Sequence, residues 1–246
     1  MSMVEITWLG HGTYTLKLKT GEVILVDPWI EGNPSYPKDF TLDRVDTILV
    51  SHGHFDHIHD VLPLAAKFSP TIVAIYETSH WLEKKGAKNV IGMNKGGTVQ
   101  VGPVAVTMTH AVHSCGILDG DQIIYGGEAA GYVLHLPDRR NIYCAGDTNV
   151  FTDMQLIERL YHPELAFLPI GDLYTMGPRE AALAAKILGA RKVVPLHFGT
   201  FPPLTGRPET LVELLGDDEG VDVWTLEPGK TVQSVSYTHL TLPTKA

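Results

Sequence analysis

Four side chains that can ligate a metal fall within six consecutive residues: His52, His54, Asp56 and His57, in the run SHGHFDHIHD. Neutral imidazole nitrogens and ionised carboxylate oxygens are the ordinary ligands of zinc-like cations. The H-x-H-x-D-H run directly follows the apolar stretch DTILV, which reads as a buried strand. In extended chain alternate side chains share a face, so His52 and His54 are placed toward one ion, while the turn that follows aims Asp56 and His57 elsewhere. This geometry points to two ions, and the cluster cannot complete two coordination shells alone. Downstream donors are His113 in HAVHS, Asp147 in CAGDT and His197 in VPLHF. Each ends an apolar, strand-like run, and strand ends are where α/β-type folds build sites.

The elements that must position these residues can be read from the apolar periodicity. VEITWL, the alternating TYTLKLK and the apolar EVILVD predict an antiparallel meander, and DTILVSH a further buried strand. DHIHDVLPLAAKF is compatible with a helix, and TIVAIY, TVQVGPVAVTMTH, GYVLHL and NIYCAG with strands. From Asp153 helix and strand alternate: DMQLIERLY, LAFLPI, PREAALAAKILG, KVVPLH, PETLVELLG and VDVWTL. No linker rich in Ser, Gly or charge divides the chain, so residues 1–234 are expected to form one domain of two packed sheets with helices outside. The last twelve residues, VSYTHLTLPTKA, resemble the translation of a transposon-type sequencing adaptor, and 235–246 are set apart as an expected non-native tail.

Composition narrows the classes of partner. The chain has 246 residues, 44% hydrophobic and 19% charged, with a formal net charge of −9. That sign disfavours nucleic acid and anionic lipid. The two cysteines, Cys115 and Cys144, form no CxxC pair, which suits a reducing compartment. MSMVEITWLGHG has no basic segment leading into an apolar one, and no apolar run reaches the roughly 18 residues of a membrane span. The expectation is a cytoplasmic protein acting on a small molecule, with no membrane partner and with a homo-oligomer left open.

The motifs WLGHGTY, LVDPW, SHGHFDH, HAVHS, YCAGDT, PIGDLYTMGP and PLHFGTFP, in that order, resemble the metallo-β-lactamase superfamily. Within it, the chain is similar to the metal-dependent hydrolases related to ascorbate-6-phosphate lactonase. The resemblance spans roughly Val4 to Gln233 and implies a four-layer αββα sandwich, an α/β (α+β) fold with its metals at one edge between the sheets. It implies that His52, His54 and His113 hold a first metal, that Asp56, His57 and His197 hold a second, and that Asp147 bridges them. His110 competes with His113 for the ligand position, and the family pattern A-x-H-S favours His113. Asp27 either caps the turn before Pro28 or orients a ligand imidazole from behind. His11, between Gly10 and Gly12, is either plain turn chemistry or a catalytic residue at the family's G-H position. His59, His80, His135 and His162 need no function, nor does Cys115. Glu128 reads as an ordinary loop carboxylate, and TMGP as the start of a helix that Pro178 explains as well as any anion does.

Two divalent ions, zinc first and manganese or iron next, would hold a bridging hydroxide with Asp56 orienting it. The expected activity is hydrolysis of a small anionic ester, lactone or phosphodiester. No G-x-S-x-G elbow, Walker loop or dinucleotide fingerprint supplies a rival centre. Two readings from other classes stay open: a non-catalytic metal-binding module, and a di-iron redox enzyme, which would need a flavin partner domain.

Overall fold

A strand that is apolar at consecutive positions must be covered on both faces. The computed structural model, which describes residues 3–216 and 220–235, shows which layers supply the cover. β1 (Met3–Trp8), β2 (Tyr14–Leu18) and β3 (Val23–Val26) run antiparallel, with Ile6 opposite Leu16 and Leu16 opposite Ile24. β4 (Thr47–Leu49), β5 (Thr71–Ile75) and β6 (Val90–Met93) continue the sheet in parallel. β7 (Thr98–Val101), β8 (Val104–His110), β11 (Ala130–His135) and β12 (Asn141–Cys144) form the antiparallel half of a second sheet. β13 (Leu165–Pro169), β14 (Lys192–Leu196) and β15 (Asp222–Val223) extend it in parallel. β16 (Thr231–Val235) closes the first sheet beside β1, so each sheet has seven strands among the described residues. β9 (Gly116–Asp119) and β10 (Gln122–Tyr125) make a separate two-stranded hairpin.

Three apolar clusters bind four layers. Leu165 and Phe167 of β13 face a cluster shared with Leu16, Ile24 and Val26 of the first sheet, whereas Ala166 and Leu168 face the opposite way. That outward face is covered by α4 (Met154–Tyr161), α5 (Pro178–Leu188) and α6 (Pro208–Leu215). On the far side, α1 (Phe55–Ile58), α2 (Val61–Phe68) and α3 (Tyr76–Lys84) cover Leu25, Ile48, Ile72 and Ala74. The order is helices, sheet, sheet, helices, the αββα sandwich expected of the sequence.

Several expectations change in detail. DHIHDVLPLAAKF is two helices, not one, because Pro63 has no N–H to continue the ladder from His59. Asp60, at the break, instead accepts the backbone N–H groups of Ile30 (2.6 Å) and Glu31 (3.1 Å). TVQVGPVAVTMTH is a hairpin, turned at Gly102 in the left-handed region (φ 53°). Helix α3, strand β6 and the β9–β10 hairpin add elements not predicted from the sequence, and VDVWTL keeps only two strand residues. Of the tail set apart at 235–246, all but Val235 lies outside the described residues.

Between the sheets, Phe167 stacks on Tyr14 with ring centroids 4.1 Å apart, both fully buried. Replacing Phe167 by Ala should cost about 3–5 kcal/mol, read as a lowered urea midpoint with an unchanged slope.

Candidate metal centre

The donors stand at the ends of strands that all terminate on one edge of the sandwich. Asp27 follows β3, His52 follows β4 and His11 follows β1, while His113, Asp147 and His197 follow β8, β12 and β14. Asp27 (φ 47°), His197 (φ 57°) and His11 (φ 54°) are held in left-handed backbone, a strain that accumulates at functional sites. Gly12 is required for the approach, because a Cβ there would stand 2.8 Å from His57 Cε1. Gly146, also left-handed (φ 62°), lets the loop before Asp147 lie against Ser51, 2.6 Å from where its Cβ would be.

The carboxylate of Asp147 is the hub. Its Oδ2 lies 3.0 Å from His197 Nε2, 3.3 Å from His57 Nε2, 3.8 Å from His113 Nε2 and 3.9 Å from His52 Nε2. On one side His54 Nδ1 approaches His52 Nε2 at 3.1 Å and His113 Nε2 at 3.3 Å. On the other, Asp56 Oδ2 lies 3.6 Å from Nε2 of both His57 and His197. Ligand atoms of His52, His54 and His113 fall within 4.8 Å of one another, as do those of His11, Asp56, His57 and His197. The two expected ligand sets are thus brought together with Asp147 between them.

Hydrogen bonding behind the donors fixes which nitrogens face inward. Asp27 accepts the backbone N–H of Ser51 (2.7 Å) through Oδ1 and the Ser51 hydroxyl (2.6 Å) through Oδ2. The Ser51 oxygen is then free to accept from His52 Nδ1 (2.9 Å), which leaves the lone pair of His52 on Nε2. His57 Nδ1 donates to the same Asp27 Oδ2 at 2.9 Å, turning its own Nε2 toward Asp147. Asp27 therefore orients two imidazoles at once, His57 directly and His52 through Ser51. His11 Nε2 donates to Asp56 Oδ2 at 2.8 Å, and Nδ1 meets Thr200 Oγ1 at 3.0 Å.

The donor chemistry suits cations. Nε2 of His57 and both ring nitrogens of His197 are buried with no directed hydrogen-bond partner, despite the short approaches to Asp147. Burial opposes charge on His57, but Asp147, Asp56 and Asp27 outweigh it and hold its pKa well above the ordinary imidazole value. The same contest, won by Asp147 and Asp56, raises His197 to about 9. Burial alone would raise Asp147, yet His197 and His57 hold its carboxyl well below the usual range. Burial and neighbouring imidazoles lower His52 and His54, and burial above all lowers His113, so these three stay neutral, as ligation requires. The residues fit divalent metal ions.

A β-lactamase superfamily domain matches residues 22–198. The chain is 69% identical to a UPF0173 metal-dependent hydrolase of Solibacter usitatus, over 94% of this chain and all of that one. It is 40% identical to one from Methanopyrus kandleri, again over 94% of this chain and all of the relative. The chain belongs to the UPF0173 metal-dependent hydrolases. Its fold superposes on Igni18, a metallo hydrolase of Ignicoccus hospitalis, with TM-score 0.84 and 32% identity over 96% of this chain and all of that one.

Not every expected residue of the hydrolase reaches the surface of the site. His54, Asp56, His113, Asp147 and His197 line a cleft of about 710 Å³, whereas His11 is fully buried behind Asp56. The structure places His11, considered above for a catalytic role, behind Asp56 and off the cleft lining, where it positions the Asp56 carboxylate. Glu128 is exposed and paired with Lys95 (2.6 Å), and His110 is exposed beside the same lysine. His135 bonds Thr107 and Asn141, His59 bonds Asp60, and Cys115 accepts the Gly53 N–H at 3.2 Å. Two contributors escaped the sequence reading. Ser51 carried a signal in its place just before His52; Thr200, 189 residues from His11, carried none.

Asp27→Ala removes the acceptor that orients His52 and His57. Metal affinity should fall about 10- to 100-fold, measured by competition with a chromophoric chelator, with the thermal midpoint of the metal-free protein as the control for folding.

Proposed function

We propose that this metal-dependent hydrolase binds two divalent cations, zinc ahead of manganese or iron. His52, His54 and His113 would hold one, Asp56, His57 and His197 the other, and Asp147 would bridge them. The observation that carries the proposal is the approach of four imidazole Nε2 atoms to one oxygen of Asp147, within 3.9 Å. Among the described residues no thiolate joins the donor groups: Cys115 is turned to the backbone of Gly53 and Gly126, and Cys144 is buried in the core between the sheets. An all-N/O set suits each of those metals.

Bound there, the cations would supply Lewis acidity and would lower the pKa of a bound water toward about 7. The chain's own groups set the rest. Asp56 is anchored by His11, is partly open to the cleft, and can accept a hydrogen bond from an attacking water and hold it in line, while against burial His57, His11 and His197 keep its carboxyl ionised, well below the usual carboxylate range. His54, His113 and Asp147 turn their edges to the same cleft, so a scissile carbonyl or phosphoryl oxygen entering it meets the donor groups directly. We assign the reaction as hydrolysis of an ester, lactone or phosphodiester bond in a small molecule. The small anionic substrate expected from the sequence meets no lysine or arginine among the described residues lining the cleft. Any negative charge would be answered only at the metal centre. The open cleft beside a full set of donors favours catalysis over a purely metal-binding role.

Two buried, unpaired cysteines and the negative net charge support a cytoplasmic location and a small-molecule substrate in place of nucleic acid. No helix among the described residues is long and apolar enough to cross a membrane.

His54→Ala and Asp147→Ala should each lose bound metal and bring turnover of p-nitrophenyl esters, bis(p-nitrophenyl) phosphate and lactones to background. Metal content by plasma mass spectrometry and initial rates check this together. Full metal content in both variants would refute the ligand assignment.

A further inference from the structure

The β9–β10 hairpin is apolar on both faces, and only one of them is used by the fold. Ile117 is fully buried, and its side chain lies where a Cβ on Gly53, in the ligand loop, would meet it at 2.4 Å. Its cross-strand partner is Ile124. The opposite face carries the facing pair Leu118 and Ile123, which are 56% and 79% exposed and line the metal-centre cleft. An isolated two-stranded ribbon is marginal in water, and this one is tied down through Asp119, which accepts from Trp81 Nε1 (2.9 Å) on α3 and from Lys85 Nζ (2.6 Å) just past its C-terminus. The hairpin is thus fixed in place while presenting aliphatic surface to solvent beside the donors.

The rest of the cleft lining is largely aromatic, with Pro202 and Pro203 beside it. Phe201 stacks on the buried Trp29 at 5.7 Å, Phe55 meets the same indole edge-on at 5.5 Å, and Tyr174 stands 58% exposed. Apart from the candidate ligands, the hydrogen-bonding side chains among the described residues of the lining are Ser114 and Tyr174, and Ser114 Oγ is engaged by His54 Nε2 at 3.2 Å. Such a site recognises by burial, with all polar recognition at the metal end.

We propose that the substrate is a small molecule whose non-reacting part is an uncharged alkyl or aryl group, seated among Leu118, Ile123, Phe55, Tyr174 and Phe201. This rests on the hydrolase reading only in placing the reacting bond at the donors.

Two probe series separate the wall from the metal centre. Straight-chain hydroxamates from acetohydroxamate to hexanohydroxamate ligate the metal, and 1-alkanols from ethanol to hexanol need none. Both are titrated into zinc-loaded protein while the Leu118 and Ile123 methyl NMR signals are followed. In both series those signals should shift, and affinity should rise about fourfold per added methylene, the weight of a buried CH₂. Leu118→Ser and Ile123→Ser should flatten that rise, and exposed positions make folding of both variants straightforward to verify. Affinity independent of chain length, or unmoved methyl signals, would overturn the proposal. An alkanol series that behaves as expected beside hydroxamates that gain nothing from their metal-binding group would uphold it and sink the metal assignment instead.

Discussion

A carboxylate buried among imidazoles is the constraint on which the rest of this molecule depends. Asp147 is 4% exposed, with four ring nitrogens converging on one of its oxygens. An isolated charge so placed is costly, and pairs or metal ions are what make it tolerable. The surrounding groups divide in a way that suits cations: His57 and His197 sit in a field that favours positive charge, whereas His52, His54 and His113 are held neutral with lone pairs to offer. Neither set lies on one sheet alone. Asp147, His113 and His197 come from one sheet, and His52, His57 and Asp27 from the other side of the sandwich, so packing of the sheets is a condition of assembling the site.

The supporting shell shows how far the fold is bent to this end. Asp27, His197 and His11 adopt backbone that non-glycine residues seldom visit, and each is buried with its side chain committed to the cluster. One carboxylate, Asp27, aligns both His57 directly and His52 through Ser51. His11 does the same for Asp56, and is itself fixed by Thr200, whose hydroxyl accepts from Ser35. The apolar sandwich supplies rigidity, and the strained strand ends convert that rigidity into donor positions accurate enough for ligation.

Much of this was legible in the sequence, for a physical reason. Donors that share one loop, as in SHGHFDH, declare themselves by spacing. Donors that end apolar runs, as Asp27, His113, Asp147 and His197 do, declare themselves because a buried strand must stop before a polar side chain. The strands buried on both faces, such as LAFLP and KVVPL, were equally plain. What escaped depends on contacts between distant residues or on weak local pattern. Whether His11 faced substrate or stood behind Asp56 was decided by packing against Thr200 and His197. Helix α3 reads YETSHWLEK, with little apolar periodicity, and owes its place to Leu82 in the outer core. The β9–β10 hairpin did carry a signal, Gly120-Asp121 between apolar runs, with glycine at the first position of a tight two-residue turn. Its apolarity on both faces conceals the alternation by which strands are usually found.

In the function proposed above, the groups converging on Asp147 hold two cations. Anomalous diffraction at the zinc edge from crystals of the zinc-loaded protein tests it most directly. The account predicts two peaks about 3.5–4 Å apart, one against His52, His54 and His113, the other against Asp56, His57 and His197, with the Asp147 carboxylate between them. A single peak, or peaks held by other residues, would contradict it.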